Sequence, residues 1–302
     1  MKLIKKVFLV PTLLMVGALG IQAQENDSTG MPGDHFSLEG ALDLFKKANN
    51  PEEFEKLLNT EDNRVNNLDL DGNGEIDYIN VVEKQDKDAH IFILRVAVSE
   101  SENQDIAVIE VEKTGAETAV LQIIGDEEIF GEQKIVEPGE GEDKEDESNQ
   151  PGGPFHSYYD PTSTNGVIVN VWFWPTVRHV YRPGYSVWVS PWRWRHYPGW
   201  WRPWRPLAWH VYHPYRVRYR PGFAVVRTHR VVYAHRVYTP VRASSVTVRT
   251  RHAVARKNYT VTRSRTTVTG PRGNSVTRRT TTVQGRNGRV KASKTTVKRR
   301  RH

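Results

Sequence analysis

The stretch Leu68–Lys84, "LDLDGNGEIDYINVVEK", divides the chain into a helical approach and a strand-like sequel. Upstream, in "FSLEGALDLFKKANN", Leu38, Leu42 and Phe45 recur at helical spacing and Ser37 stands where a cap belongs. In "NPEEFEKLLN" Asn50 is the cap, Pro51 falls in the first turn and Glu53 completes a capping-box pattern. Phe54, Leu57 and Leu58 supply the apolar face. Downstream the period changes to two. "DYINVVEK", "AHIFILRVAVSE", "QDIAVIEVEK" and "ETAVLQIIGDEEIF" alternate or run apolar between short polar connections. The prediction is an α+β domain over 37–136: an N-terminal helix pair on one face of an antiparallel four-strand meander.

Within the dividing stretch, Asp69, Asp71 and Asn73 alternate, then come Gly74, Ile76 and Asp77. Alternate oxygen-bearing side chains converge on one point, Gly74 permits a sharp turn, and Ile76 pins the loop to the core. Such a set suits a hard cation that takes six to eight oxygens. The order D-x-D-x-N-G-x-I-D resembles the calcium loop of EF-hand proteins. The resemblance spans about a dozen residues and implies a calcium site over 69–80. Its ligands would be Asp69, Asp71, Asn73, the carbonyl of Glu75, Asp77 and Asn80. Asn80 stands where EF-hands carry a bidentate Glu, and a strand pattern follows in place of an exiting helix. The loop is thus closer to the wider D-x-D-x-D-G class, with an expected dissociation constant on the order of 10⁻⁴–10⁻³ M. A plain Gly-rich reverse turn is the competing reading of "DGNG", but a turn requires neither Asp69, Ile76 nor Asp77.

Charge splits the 302 residues sharply. From Phe155 onward there are 30 Lys and Arg against one acid, Asp160; before it, 13 stand against 34 acids. The two parts carry +29 and −21 within a total of +8, an asymmetry that reports interaction surfaces. The opening "MKLIKKVFLVPTLLMVGALGIQAQ" has a basic start, an apolar run and a small residue at Ala23. It reads as a signal peptide, 1–23, followed by a flexible leader, 24–36, and it directs the chain to the periplasm or cell surface. No cysteine is present, so neither disulfides nor thiol chemistry enters. No later apolar run escapes interruption by Arg, His or Pro, so no membrane span is expected after the signal. The segment 137–154, rich in acids, Gly and Pro, reads as a disordered linker.

The basic half holds all nine Trp, between Trp172 and Trp209. "VIVNVWFW" and "YSVWVS" read as strands. "HVYH" has two His three apart beside residues that look extended, so no transition metal is assigned there. In "PWRWRHY" and "WRPWRP", Trp192, Arg193, Trp194, Arg195, Trp201, Arg202, Trp204 and Arg205 form a ladder. Its period of three over Trp201–Pro206 suits a polyproline-type rod. The ladder would either pack on its own sheet or bind an anionic membrane surface or acidic polymer. Region 155–215 is thus expected to be β-rich or extended. Region 216–302 reads as a basic Thr/Val/Arg tail in which "TTV" repeats at Thr266, Thr281 and Thr295, suggesting hairpins that cannot bury a core alone and a tail disordered in isolation, with β structure only on assembly or binding.

The signal, the helix pair, the loop and the Trp/Arg/His-rich second half together resemble uncharacterised secreted proteins of gram-negative bacteria. That resemblance implies no activity. Export argues against intracellular nucleic acid as a partner. No nucleophile–base pattern, phosphate loop or three-ligand zinc motif appears, and His35 and His90 look isolated among surface-like neighbours. The expectation is an exported, non-catalytic calcium-binding protein whose cationic half meets an anionic envelope or polymer. Self-association of the acidic and basic halves is a linked expectation. The alternatives are a purely structural, calcium-free self-associating matrix protein, or an enzyme of unrecognised type.

Overall fold

Local capping sets the first elements in place. The computed structural model describes residues 28–139 and 168–258 and, as backbone, three further strands between 260 and 300. Gly40 N–H donates to Ser37 Oγ (3.0 Å) at the start of α1, Leu38–Lys47. Glu53 N–H donates to Asn50 Oδ1 (2.8 Å) at the start of α2, Pro51–Leu58. Both caps satisfy amides that a helix leaves without partners.

The strands are β1 Ile79–Asp86, β2 Ala89–Ala97, β3 Asn103–Gly115, β4 Thr118–Gly125, β5 Lys134–Pro138 and β6 Phe223–Val226. They form one antiparallel sheet in chain order, with a short helix α3, Glu127–Phe130, between β4 and β5. The fold is α+β. The meander has six strands, however, where four were expected. The fifth takes Glu137 and Pro138 out of the predicted linker, and the sixth comes from the basic half, with Val136 opposite Val225.

Both faces of the sheet are buried. On one, Phe45 of α1 meets Phe54 and Phe92 edge-on at 5.1 and 5.0 Å, above Leu94, Ile109, Leu121 and Ile123. On the other, Ile91, Ile93, Val108 and Ile124 pack against Val231, Ala234 and Tyr238 around α6, Val232–Tyr238. The helices therefore do not lie on one face only. The continuous apolar run "IFIL" in β2 carries the reason, because a strand with a wet face would alternate.

The basic half supplies helices where strands were expected. "VWFW" leads into α4, Pro175–Val180, whose Val177 and Val180 join the first core. "HVYH" lies in α5, Trp209–Val217, so its neighbours are helical, not extended. There Tyr212 is fully buried and donates to the Val65 carbonyl at 2.6 Å; that anchorage outweighs the weak helix propensity of Val, His and Pro214. "YSVWVS" does add to the sheet, at the free edge of β1: Glu83 N–H donates to the Trp188 carbonyl, and Ser190 N–H to the Val81 carbonyl. Residues 246–258, expected in the tail, form α7 Val246–Arg251 and α8 Ala253–Asn258, with Val248 in the first core.

Part of the leader is structured as well. Met31 and Phe36 are buried, and Asp34 accepts from Ser28 Oγ, Thr29 Oγ1 and Gly30 N–H, closing a turn. A Cβ at Gly33 would fall 2.4 Å from the Phe130 ring, so close packing explains that glycine. In the tail, β7 Thr260–Thr269, β8 Ser275–Gln284 and β9 Val290–Arg300 form a separate antiparallel sheet, one "TTV" repeat to each strand. The signal segment 1–23, leader residues 24–27 and linker residues 140–154 lie outside the described residues. Among the described residues no helix is long and apolar enough to cross a membrane.

Candidate metal loop and the aromatic ladder

The loop sits between α2 and β1, and its backbone is held at both ends. Asp77 N–H donates to the Leu68 carbonyl at 2.8 Å, and Asn66 Nδ2 donates to the Asp77 carbonyl. Ile76 is buried, and its N–H donates to the Trp204 carbonyl at 2.8 Å. Gly72 and Gly74 adopt φ of 68° and 86°, a left-handed backbone in which a side chain is strained.

The side chains fold inward on this frame. Asp69 Oδ2 accepts from Gly74 N–H (3.1 Å), while its Oδ1 is buried without a hydrogen-bond partner. Asp71 accepts from the backbone and side-chain amides of Asn73, both at 3.0 Å; Asn73 Oδ1 accepts from Glu75 N–H at 2.7 Å. Asp77 Oδ2 accepts from Leu70 N–H. Burial, followed by the charges of Asp71 and Asp69, pushes the Asp77 carboxyl up to about 8. Burial, reinforced by Asp69, also raises Asp71. Three carboxylates thus crowd one loop, Asp77 buried and Asp69 and Asp71 half-buried, an arrangement relieved by a cation.

Two predicted ligands need comment. The Glu75 side chain is exposed, which leaves its carbonyl for the expected role. Asn80 is drawn elsewhere: it sits on β1 opposite Arg95, and its side-chain amide lies 3.0 Å from Ser190 Oγ. The chain continues as a strand, so the twelfth loop residue does not return to the loop as it does on an exiting helix. One cation was not foreseen. A Cβ at Gly72 would overlap the Arg251 guanidinium, which lies against the loop and draws Asp71 down in opposition to its burial.

The Trp/Arg ladder is sorted by side. From 201 to 208 the chain has no regular helix or strand. Trp201 is only 4% exposed, edge-on to Tyr78 at 5.2 Å and 4.6 Å from Tyr197, with Trp204 beside it at 6.5 Å. Arg193, Arg195, Arg202 and Arg205 are exposed; Trp192, Trp194 and Trp204 are half-buried. The Arg195 guanidinium covers the Trp194 ring at 4.2 Å. Trp201 therefore serves the interior, and the outward chemistry of the ladder belongs to its arginines.

Several polar groups that the sequence did not single out hold the basic half in place. Glu55 and Glu83 are buried. Glu55 accepts from Tyr78, Ser190 and Val81 N–H, and Glu83 from Trp188 N–H and the Tyr185 hydroxyl. His90 is not surface-like: it is fully buried, its Nδ1 2.6 Å from Glu83 and its ring edge-on to Tyr181. Period-two alternation across "DYINVVEK" hinted at Glu83, which falls on the same side as Ile79 and Val81. Neither a family model, a curated protein nor a solved structure matches the chain.

Proposed function

We propose that this is an exported, non-catalytic calcium-binding protein whose cationic surface associates with the anionic cell envelope or an acidic polymer. Asp69, Asp71, Asn73, the Glu75 carbonyl and Asp77 hold the ion. The single observation that supports this reading is Asp77, buried beside two more carboxylates in a loop whose glycines already make the sharp turn. The ion staples the junction between the helix pair and the sheet. Arg193, Arg195, Arg202 and Arg205 meet the anionic surface.

The test is calorimetric titration of the chain from residue 24 onward with calcium, wild type against Asp69→Ala and Asp71→Ala. The fragment ending before the basic half is unsuitable, because β6 and α6 complete the sheet. One site with a dissociation constant on the order of 10⁻⁴–10⁻³ M is expected, lost in both variants. The calcium-free structural reading draws on Arg251, which already places a positive charge on the loop. Absence of wild-type heat would decide for it. Binding to vesicles of anionic phospholipid, compared with an acidic polysaccharide at several salt concentrations, separates the two surface partners.

A further inference from the structure

We propose that Glu110, His229 and His235 form a site for a divalent transition-metal ion of the zinc class, distinct from the calcium loop. Glu110 stands on β3 opposite Ile91 and Gln122, on the sheet face covered by α6. His229 lies just before α6 and His235 within it. Glu110 Oε2 is 2.9 Å from His229 Nε2, and its Oε1 is 2.7 Å from His235 Nδ1. The two rings meet at 4.1 Å between centroids. The three ligand atoms lie within 4.8 Å of one another.

Charge decides what this cluster does. The Glu110 side chain is fully buried, and among the described residues its ion-pair partners are these two imidazoles. A buried negative charge is costly in a medium of low dielectric unless it is compensated. A divalent ion compensates it, each ring presenting a lone pair and carrying its proton on the other nitrogen. Two imidazoles and one carboxylate are the donor set of borderline ions, whereas calcium takes oxygen alone. In a tetrahedral zinc site with bonds near 2.1 Å, neighbouring ligand atoms stand roughly 3.4 Å apart, a spacing that side-chain adjustment reaches from three ligand atoms within 4.8 Å of one another. An ion has a way in: the two His side chains are 22% and 25% exposed, and His235 lines a cavity of about 120 Å³ with Tyr238 and Arg242. Three protein ligands leave a fourth position open.

The site joins the acidic sheet to the basic half, so metal binding reads out as stability. The experiment takes the chain from residue 24 onward, stripped with chelator, and titrates zinc by calorimetry with parallel thermal melts. His229→Gln, His235→Gln and Glu110→Gln are compared with His210→Gln/His213→Gln and with Asp69→Ala. Circular dichroism identifies which variants are folded. The expected result is one zinc ion per chain, a raised melting temperature and no displacement by millimolar calcium. The folded site variants should bind at least the roughly 10–100-fold more weakly that even outer contacts to a metal are worth; the other two should match wild type. Absence of one-to-one binding by wild type overturns the proposal, as does unchanged binding in the folded His229 and His235 variants.

Discussion

At the scale of the residue, Asp77 and Arg251 have opposite effects on one loop. Asp77 is raised to about 8 without an ion, chiefly by burial. A carboxyl raised on folding favours the folded state only while it keeps its proton. That contribution is complete below the unfolded value near 4 and is lost as pH rises through about 8. Chelator-treated protein should therefore lose stability between pH 4 and 8 in denaturant melts, and saturating calcium should flatten that decline. Asp77→Asn should remove the decline without needing calcium. Arg251 repels an incoming divalent ion, so Arg251→Gln should tighten calcium binding a few-fold by calorimetry, on the scale of one exposed charge pair of about 0.2–1 kcal/mol. An unchanged constant would mean that the guanidinium leaves the loop at no cost. The alternation of Asp69, Asp71 and Asn73 was legible in the sequence because the backbone geometry that makes it is local. The exclusion of Asn80 was not, because Ser190, which claims it, is 110 residues away.

At the scale of the element, local signals did well where caps and periodicity agreed. Ser37 and Asn50 start their helices as read, and Asn50→Ala should lower stability by about 1 kcal/mol in chemical denaturation. The four expected strands are all present. The failures are α4, α5 and α6, whose Val, Tyr and Trp favour strands on intrinsic propensity. What overrides propensity is burial supplied from elsewhere: Val177 in the first core, Tyr212 against Val65, Ala234 in the second core. None of those partners is within a window that periodicity can sample. The burial of both faces of β2 was visible in "IFIL", but not which segment would provide the cover. A chain ending at Gly139 should accordingly leave Ile91, Ile93, Val108 and Ile124 bare. Compared with a chain ending at residue 258, it should aggregate or bind a hydrophobic dye; a soluble, cooperatively melting fragment would show that α6 is dispensable.

At the scale of the whole molecule, some of the opposed charges meet within one chain among the described residues. Arg242 pairs with Asp126 at 2.5 Å, Arg230 with Glu137 at 3.0 Å, and Arg256 and Arg249 both reach Glu128. The arginines of these pairs are partly exposed, so salt screens them, while the shared cores persist. Raising salt toward about 1 M should lower the melting temperature by a few degrees while the described body stays one cooperative unit. Light scattering at low salt tests exchange of halves between chains: a mass above that of the monomer, falling with salt, supports it, and a constant monomer mass opposes it.

The placement of β6 and α6 also sets a timetable. The acidic sheet reaches its fifth strand at Pro138, but the segments that close its second face end at Tyr238. At roughly 5–20 residues per second, synthesis separates the two by on the order of 5–20 s. Throughout that interval a nascent chain carries a bare greasy surface and an unpaired strand edge. Sequence-distant closure of this kind slows folding. It also gives any factor that escorts the growing polypeptide a defined window in which to hold it open.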